Sequence, residues 1–295
     1  MRARGDRRTR GEEGRGSCGP LRAGGRVLSS APWPSRSSEE AAALARLYDL
    51  DLAEDPGDLD LYLALATRTG GPILELAVGT GRLAVPLAAA GYDVTGVDHD
   101  PQMLARARLR AGDAGTGTVP RLRLETGDIR DVRLADAGNY RLAILALNSL
   151  LLIGNRADQE RVIETMAIHL GPGGLAAIDV WLPGADDLAR YDGRIVLEHV
   201  RQDPEAGRLV TKAASAIHDA ATGTVRLTQI YEEAAPGTPA DRWLRQDLLR
   251  LVAADELVAF AERAGLVVET LAGDYDLEPF GPGADRAVLV ARAPG

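Results

Sequence analysis

Cysteine, lysine, aromatic residues and long apolar runs are all scarce in this chain of 295 residues. Its single cysteine, Cys18, excludes an intrachain disulfide and a metal site built from several cysteines. No apolar run approaches the roughly 20 residues that a membrane helix needs, and the N-terminus lacks the apolar core of a secretory signal. We therefore expect a cytoplasmic protein with no membrane partner.

Positive charge is carried almost entirely by arginine, and Lys212 is the only lysine. The base composition of a GC-rich genome explains this bias more simply than a need for guanidinium chemistry. The formal net charge of −9 argues against a nucleic-acid groove. We therefore expect no nucleic-acid partner.

The first 37 residues differ from the rest, because they are rich in arginine, glycine and serine and show neither a helical nor a strand period. They cannot bury enough apolar area to offset the entropy lost on ordering, which predicts a disordered tail. A start codon assigned too far upstream, a basic arm for an acidic partner and a transit peptide are alternatives, although Glu12 and Glu13 count against the last. Residues 38–295 are predicted to form the folded domain.

Strands and helices alternate through most of that domain. Ser38, followed by two glutamates, is predicted to cap the first helix. Short buried strands separated by helices are typical of a parallel α/β sheet with right-handed crossovers. The predicted helices are 38–48, 59–69, 82–90, 101–110, 158–170 and 254–264, and the predicted strands are 72–78, 93–97, 121–125, 142–147, 175–181, 267–271 and 287–291.

The alternation breaks after Trp181, where four strands follow one another with turn signals between them. We expect residues 190–252 to form an antiparallel β insertion that serves as a lid over the substrate. The predicted strands are 195–201, 209–218, 224–232 and 243–252.

A glycine loop follows the first predicted strand, in the run Glu75-Leu76-Ala77-Val78-Gly79-Thr80-Gly81-Arg82. Two glycines at a strand-to-helix turn let the backbone approach a ligand closely. Asp98 stands 17 residues past Gly81, at the end of the second strand, where a carboxylate can accept both hydroxyls of a ribose. This arrangement predicts a cofactor that contains adenosine.

Two cofactor classes share this geometry. Gly79, Gly81 and Ala84 form a loose nicotinamide fingerprint, G-x-G-x-x-A. Glu75 favours S-adenosylmethionine instead, because it can hold the loop or meet the ammonium end of the methionine part, and a buried acid would be costly in a nicotinamide-binding strand. Gly127-Asp128-Ile129 and Asn148-Ser149, after the third and fourth strands, add polar groups at the ligand crevice.

These motifs, with Pro101 to Leu104 and Gly171 to Gly174, resemble those of class I S-adenosylmethionine-dependent methyltransferases over roughly residues 41–293. The resemblance implies a Rossmann-like seven-stranded sheet with helices on both faces. Tyr48-Asp49, the β insertion and the segment from Gly273 to Arg292 are similar to a bacterial subgroup that includes desosamine-type sugar N-methyltransferases. Ala77 stands where that family usually has glycine, which implies a slightly tighter pocket.

The resemblance also implies a role for each matching residue. Ala77, Gly79 and Gly81 would shape the loop around the methionine part, and Asp98 would bind the ribose. The remaining cofactor contacts would come from Tyr48 closing the pocket, Glu75, Arg82 on the carboxylate, His99, Met103, Asp128 and Ile129 around the adenine, and Asn148 at the methyl-donor end.

Methyl transfer is an in-line displacement, and a base must take a proton if the acceptor is a hydroxyl or an ammonium. The candidate bases are His218 and Tyr231, and the candidate substrate contacts are Trp181, His199 and Arg245. No Asn-Pro-Pro-Tyr sequence supports methylation of DNA amines, and no acidic cluster indicates a metal. The prediction is therefore a small-molecule methyltransferase, monomeric or homodimeric. A non-catalytic binding protein of the same fold and a nicotinamide-dependent oxidoreductase stay open as alternatives.

Overall fold

The computed structural model describes residues 37–54 and 56–295. The predictions for residues 1–36 lie outside the described residues. The helices are α1 (Ser38–Asp51), α2 (Leu59–Thr69), α3 (Ala84–Ala89), α4 (Pro101–Asp113), α5 (Arg156–His169), α6 (Ala185–Arg190) and α7 (Ala254–Arg263). The strands are β1 (Ile73–Leu76), β2 (Val94–Asp98), β3 (Leu122–Thr126), β4 (Tyr140–Leu145), β5 (Leu170–Trp181), β6 (Asp192–Asp203), β7 (Arg208–Asp219), β8 (Thr224–Ala234), β9 (Asp241–Arg250), β10 (Val267–Ala272) and β11 (Arg286–Arg292).

Helix α1 begins one residue earlier than its predicted cap implies. The capping oxygen belongs to Ser37, which accepts a hydrogen bond from the Glu40 N–H at 3.1 Å. Ser38 is the first helical residue and is not the cap. Both serines satisfy the preference for a hydroxyl at this position, so the sequence pattern alone does not distinguish them.

Seven strands form one sheet in the order β10-β11-β5-β4-β1-β2-β3. The pairs among β1 to β5 are parallel, whereas β11 runs antiparallel to both β5 and β10. The predicted α/β class is confirmed, but the expectation of a wholly parallel sheet is wrong at β11. A parallel return from β10 needs a crossover, usually a helix, and no helix lies between these strands.

Helices cover both faces of this sheet, as the strand periodicity requires. Along β4, Ala143 and Leu145 pack in the cluster formed with α5 and α7. Leu142 and Ile144 face the opposite cluster, which includes residues of α2 and α3. Burial on both faces explains why the strands are continuous apolar runs.

The β insertion is a four-stranded antiparallel sheet in the order β6-β7-β8-β9. Helix α1 packs on one of its faces, where Leu44 and Leu47 contact Val210 and Tyr231. We call this the inner face, and cross-strand alternation also assigns Arg245 to it. In residues 37–54 and 56–295, no helix is long and apolar enough to cross a membrane.

Candidate functional site

The site lies where β1, β2 and β4 end at one edge of the seven-stranded sheet. Strand order reverses between β1 and β4, since the chain passes from β1 to β2 and β3 before it returns to β4. Ligands bind in the crevice at such a point in open α/β sheets. The glycine loop, Asp98 and Asn148 all stand at this edge, as the sequence predicts.

Asp98 organises the glycine loop with one carboxylate. Its Oδ2 accepts a hydrogen bond from the Gly79 N–H at 2.9 Å, and its Oδ1 accepts one from the Asp100 N–H at 2.9 Å. Gly81 has a φ of +77°, and a Cβ on it would lie 3.0 Å from Val85 Cγ2. Only glycine tolerates both the backbone conformation and the close packing at that point.

Ala77 also adopts a left-handed backbone conformation, with a φ of +56°. We expect Ala77→Gly to raise the free energy of unfolding by about 0.5 kcal/mol, because relief of about 1–2 kcal/mol of strain exceeds the added chain entropy of glycine. Ala105→Gly, at an exposed position inside α4, should instead lower it by about 1 kcal/mol. Chemical denaturation measures both, and equal losses would refute the strain at Ala77.

Glu75 is the buried acid of the site. Its side chain is on β1, the residue is 4% exposed, and its Oε2 has no hydrogen-bond partner among the described residues. Burial raises the pKa of Glu75 to about 8, although the positive charge of Arg82 acts in the opposite direction. An unpaired buried carboxyl oxygen is costly, so its presence points to a ligand group that pairs with it.

Arg82 is fixed by an ion pair with Asp58, a residue that the sequence did not indicate. Its two terminal nitrogens donate to the Asp58 carboxylate at 2.5 and 2.7 Å, and Asp58 is fully buried. This pairing gives Arg82 a fixed position beside Glu75. The contact between Arg82 and a cofactor carboxylate stays a prediction.

Tyr48 lies over the glycine loop, as the resemblance implies. A Cβ built on Gly79 would be 3.9 Å from Tyr48 Cε1. Burial raises the pKa of the Tyr48 hydroxyl, while the positive charges of Arg82 and Arg245 lower it. The inner face of the insertion and the cofactor loop therefore meet around this tyrosine.

The side of the site that is predicted to hold the adenine is more exposed to solvent than the side around Glu75. The His99 side chain is 87% exposed, and its Nδ1 lies 3.5 Å from Asp98 Oδ1. Ile129 is buried, while Met103 is half-buried in α4. Asp128 accepts hydrogen bonds from Arg130, which lower the pKa of its carboxyl group. All these residues are positioned around the ends of β2 and β3, and their contacts with adenine stay predictions.

Asn148 shapes the end of β4. It has a φ of +63°, and its side-chain Oδ1 accepts a hydrogen bond from the Trp181 N–H at 2.5 Å. Sequence reasoning missed the neighbouring Asp179, which is fully buried on β5 and accepts a hydrogen bond from the Leu147 N–H at 2.9 Å. The other donors to Asp179 are Tyr62, Tyr275 and Arg286.

A third missed carboxylate, Asp51, joins α1 to the insertion. Tyr231 donates to Asp51 Oδ2 at 2.6 Å, Lys212 donates to the same oxygen at 2.7 Å, and His199 Nε2 lies 2.9 Å from Oδ1. The predicted residues Tyr231 and His199 therefore hold the insertion on α1. The scarcity of lysine is the one sequence signal that singles out Lys212.

Tyr231 is unsuited to the role of base that the sequence suggested. Burial raises the pKa of its hydroxyl, and the adjacent Asp51 carboxylate raises it further. The hydroxyl proton is also donated to Asp51. We therefore correct the prediction for Tyr231, because its hydroxyl keeps its proton at neutral pH.

His218 and Trp181 lie in a part of the site that does not include Tyr231. His218 lies six residues along β7 from Lys212, about 20 Å at the usual strand rise. Its N–H donates to the Tyr191 carbonyl at 3.0 Å, and the Tyr191 ring lies 6.2 Å from the Trp181 ring. Tyr191 thus links the backbone of His218 to Trp181 at the end of β5, and His218 is separate from Tyr231.

Comparisons with known proteins match the part of the chain that holds the candidate cofactor site. A family model described as a methyltransferase domain matches residues 73–174, which hold the glycine loop, Asp98 and Asn148 but not the insertion. A phosphatidylethanolamine N-methyltransferase from Cereibacter sphaeroides is 30% identical over 149 residues, covering 46% of this chain and 70% of the relative.

A longer alignment covers most of the chain. The dTDP-3-amino-3,4,6-trideoxy-alpha-D-glucopyranose N,N-dimethyltransferase of Streptomyces venezuelae is 26% identical over 237 residues, covering 78% of this chain and 92% of the relative. Among solved structures, the CcbJ methyltransferase of Streptomyces caelestis superposes with a TM-score of 0.69 at 24% identity, over 82% of this chain and 92% of that one. This similarity confirms the predicted fold.

Proposed function

Because the chain belongs to the class I S-adenosylmethionine-dependent methyltransferases, we propose that it methylates a small-molecule acceptor at an amine nitrogen. Both relatives described above are N-methyltransferases by name, which supports nitrogen over oxygen. The observation that carries the proposal is the unpaired Oε2 of Glu75 beside the glycine loop.

The residues of the site fit S-adenosylmethionine. The unpaired oxygen of Glu75 supplies a partner for the ammonium group, and Asp98 supplies two acceptor atoms for the ribose hydroxyls. When bound, the cofactor supplies a methyl group that its sulfonium already activates. The protein must then orient the acceptor and exclude water. Orientation alone lowers the activation free energy by roughly 7–11 kcal/mol.

The inner face of the insertion is the proposed acceptor wall and lid. Arg245 donates through Nε to Asp247 at 2.7 Å, and neither of its terminal nitrogens donates to another described residue. Its side chain is 19% exposed. These free donors, next to Tyr48, suit an anionic or oxygen-rich part of the acceptor. His218 remains the proposed base that removes a proton from the acceptor. Trp181 is proposed to contact the acceptor.

We expect Arg245→Gln to raise the KM for the acceptor by about 10- to 100-fold, because each hydrogen bond from a charged donor contributes about 1.5–3 kcal/mol. The dissociation constant of S-adenosylmethionine should stay unchanged. Arg242→Gln is the matched control, since Arg242 is an exposed residue of the same strand that pairs with Glu232. Equal effects of the two substitutions would remove Arg245 from the acceptor site.

Release of S-adenosylhomocysteine in the presence of a panel of small amines and alcohols tests the proposed function. Turnover with amines supports it, and turnover confined to alcohols would correct the acceptor atom. Tight S-adenosylmethionine binding without turnover on any acceptor would support the non-catalytic alternative. The cytoplasmic location is proposed only from the composition of the chain.

A further inference from the structure

Strand β9 runs from α1 to the turn that follows β4 and is anchored at both ends of that span. Trp243, on the inner face, packs against the cluster that contains Leu47 of α1. Leu249, on the same face, packs against the core cluster that contains Leu150. Leu150 lies in the short turn that follows Asn148. The span from Trp243 to Leu249 is about 20 Å at the usual strand rise, so β9 bridges two sides of the site.

Two charged residues occupy the inner face of β9 between these anchors. Alternation along the strand places Arg245 and Asp247 there, and the register with β8 is regular over the whole strand. Arg245 is close enough to Tyr48 for its positive charge to act on the tyrosine hydroxyl. Asp247 stands two residues farther along the strand, nearer to the turn that begins at Asn148. Asp247 therefore lies on the acceptor wall between Tyr48 and that turn.

The ion pair between Arg245 and Asp247 leaves one carboxylate oxygen unused. Arg245 Nε donates to Asp247 Oδ2 at 2.7 Å, and Asp247 Oδ1 accepts no hydrogen bond from another described residue. The Asp247 side chain is only 17% exposed. Its cross-strand neighbours on the inner face are Leu227 and, beyond it, Ala216. Because both neighbours are apolar, they supply no donor for the second oxygen.

We propose that Asp247 binds the nitrogen of the acceptor and thereby selects amines over alcohols. A half-buried carboxylate oxygen without a donor is costly, and an ammonium group supplies hydrogen-bond donors together with the opposite charge. A hydroxyl group supplies one donor and no charge, so it gains less from the same oxygen. This inference rests on the proposed function, because it names the residue that recognises the amine.

The same contact holds the nitrogen after it has lost its ammonium proton. Methyl transfer needs a free lone pair on the nitrogen, so an ammonium group must first give up one proton. A neutral primary or secondary amine keeps at least one N–H, which donates to Asp247 while the lone pair stays free. Asp247 therefore directs the lone pair without acting as the base, and the proposed role of His218 is unaffected.

Calorimetric titration of the chain saturated with S-adenosylhomocysteine tests the contact without requiring turnover. The probes are three pairs in which a hydroxyl replaces the amine: glucosamine and glucose, cyclohexylamine and cyclohexanol, and phosphoethanolamine and ethylene glycol phosphate. At least one amine should bind the wild-type chain about 10- to 100-fold more tightly than its alcohol, the range expected for one hydrogen bond to a charged group. A wild-type chain that prefers no amine to its alcohol overturns the proposal.

Variants of Asp247 assign that preference to the carboxylate. Asp247→Asn should weaken binding of the preferred amine to the level of its alcohol and leave the alcohol nearly unaffected. Asp247→Leu matches the apolar neighbours, so it should fold and lose the preference as well. Asp241→Asn is the matched control, since Asp241 is an exposed carboxylate of the same strand that pairs with Arg208. A preference that persists in both Asp247 variants overturns the proposal.

Turnover separates this inference from the proposed function. An amine preference that depends on Asp247, in a chain that methylates no acceptor, would support the contact and contradict the proposed function. Methylation of amines at a rate and KM that neither Asp247 variant changes would support the proposed function and overturn the contact.

Discussion

Replacing Asp98 with alanine should weaken S-adenosylmethionine binding by about 100-fold or more. The carboxylate holds the Gly79 and Asp100 N–H groups and is proposed to bind the ribose hydroxyls. Each hydrogen bond to a charged acceptor contributes about 1.5–3 kcal/mol, so loss of two costs at least about 3 kcal/mol. Isothermal titration calorimetry with the purified variant measures the loss directly.

Two further variants separate binding from folding at this position. Asp98→Asn keeps the volume and one acceptor oxygen, so its affinity should fall between the wild type and Asp98→Ala. Asp100→Ala removes the side chain that caps α4, which should lower stability by about 1 kcal/mol and leave affinity nearly intact. An unchanged affinity in Asp98→Ala would refute the ribose assignment.

Replacing Glu75 with glutamine should have two large effects of opposite sign. It should stabilise the cofactor-free protein at alkaline pH and weaken S-adenosylmethionine binding by about 100-fold. The folded carboxyl group has a pKa of about 8 against an ordinary value of 4.5. The folded state therefore holds a proton that the unfolded chain has already lost, and stability falls as pH rises from 4.5 through 8.

Above pH 8 the buried Glu75 carboxylate is charged. Its burial then lowers the free energy of unfolding by up to about 5 kcal/mol. Glutamine does not titrate, so Glu75→Gln should approach the stability of the wild type near pH 4.5 and exceed it at pH 9. Chemical denaturation at several pH values checks this. Glu125→Gln, at an exposed residue of β3, should alter neither stability nor binding. Parallel stability curves for wild type and Glu75→Gln would contradict a raised pKa.

Cofactor binding itself should report the same proton. An ammonium group next to Glu75 stabilises the carboxylate, so binding at pH 7 should release close to one proton. Calorimetry in two buffers of different ionisation enthalpy measures that release. Its loss in Glu75→Gln would assign the proton to this residue, and its persistence would assign it elsewhere.

Local signals explain which features of the fold and site the sequence predicted. Gly79, Gly81 and Asp98 were found because a turn, a helix start and a strand end impose residue types at fixed spacings. The order of elements followed from apolar periodicity for the same reason. Helices α3 and α6 both have six residues, too few to show a period; α3 was predicted because it follows the glycine loop, whereas α6 was missed.

The features that the sequence did not predict depend on contacts between residues that are far apart in the chain. The partners of Asp51 on the insertion are 148 to 180 positions away in the sequence, and Tyr62 is 117 positions from Asp179. No local pattern marks such contacts. Asp179 could have been found by the argument that found Glu75, because both are acids within otherwise apolar buried strands.

This chain is proposed to bind S-adenosylmethionine through Glu75 and Asp98, and one titration distinguishes this cofactor from a nicotinamide. Isothermal calorimetry of the wild-type chain with S-adenosylmethionine, S-adenosylhomocysteine and NADP compares the two cofactor classes under identical conditions. The structure predicts binding of both sulfur compounds and none of NADP. Tight binding of NADP with no heat from the other two would contradict it.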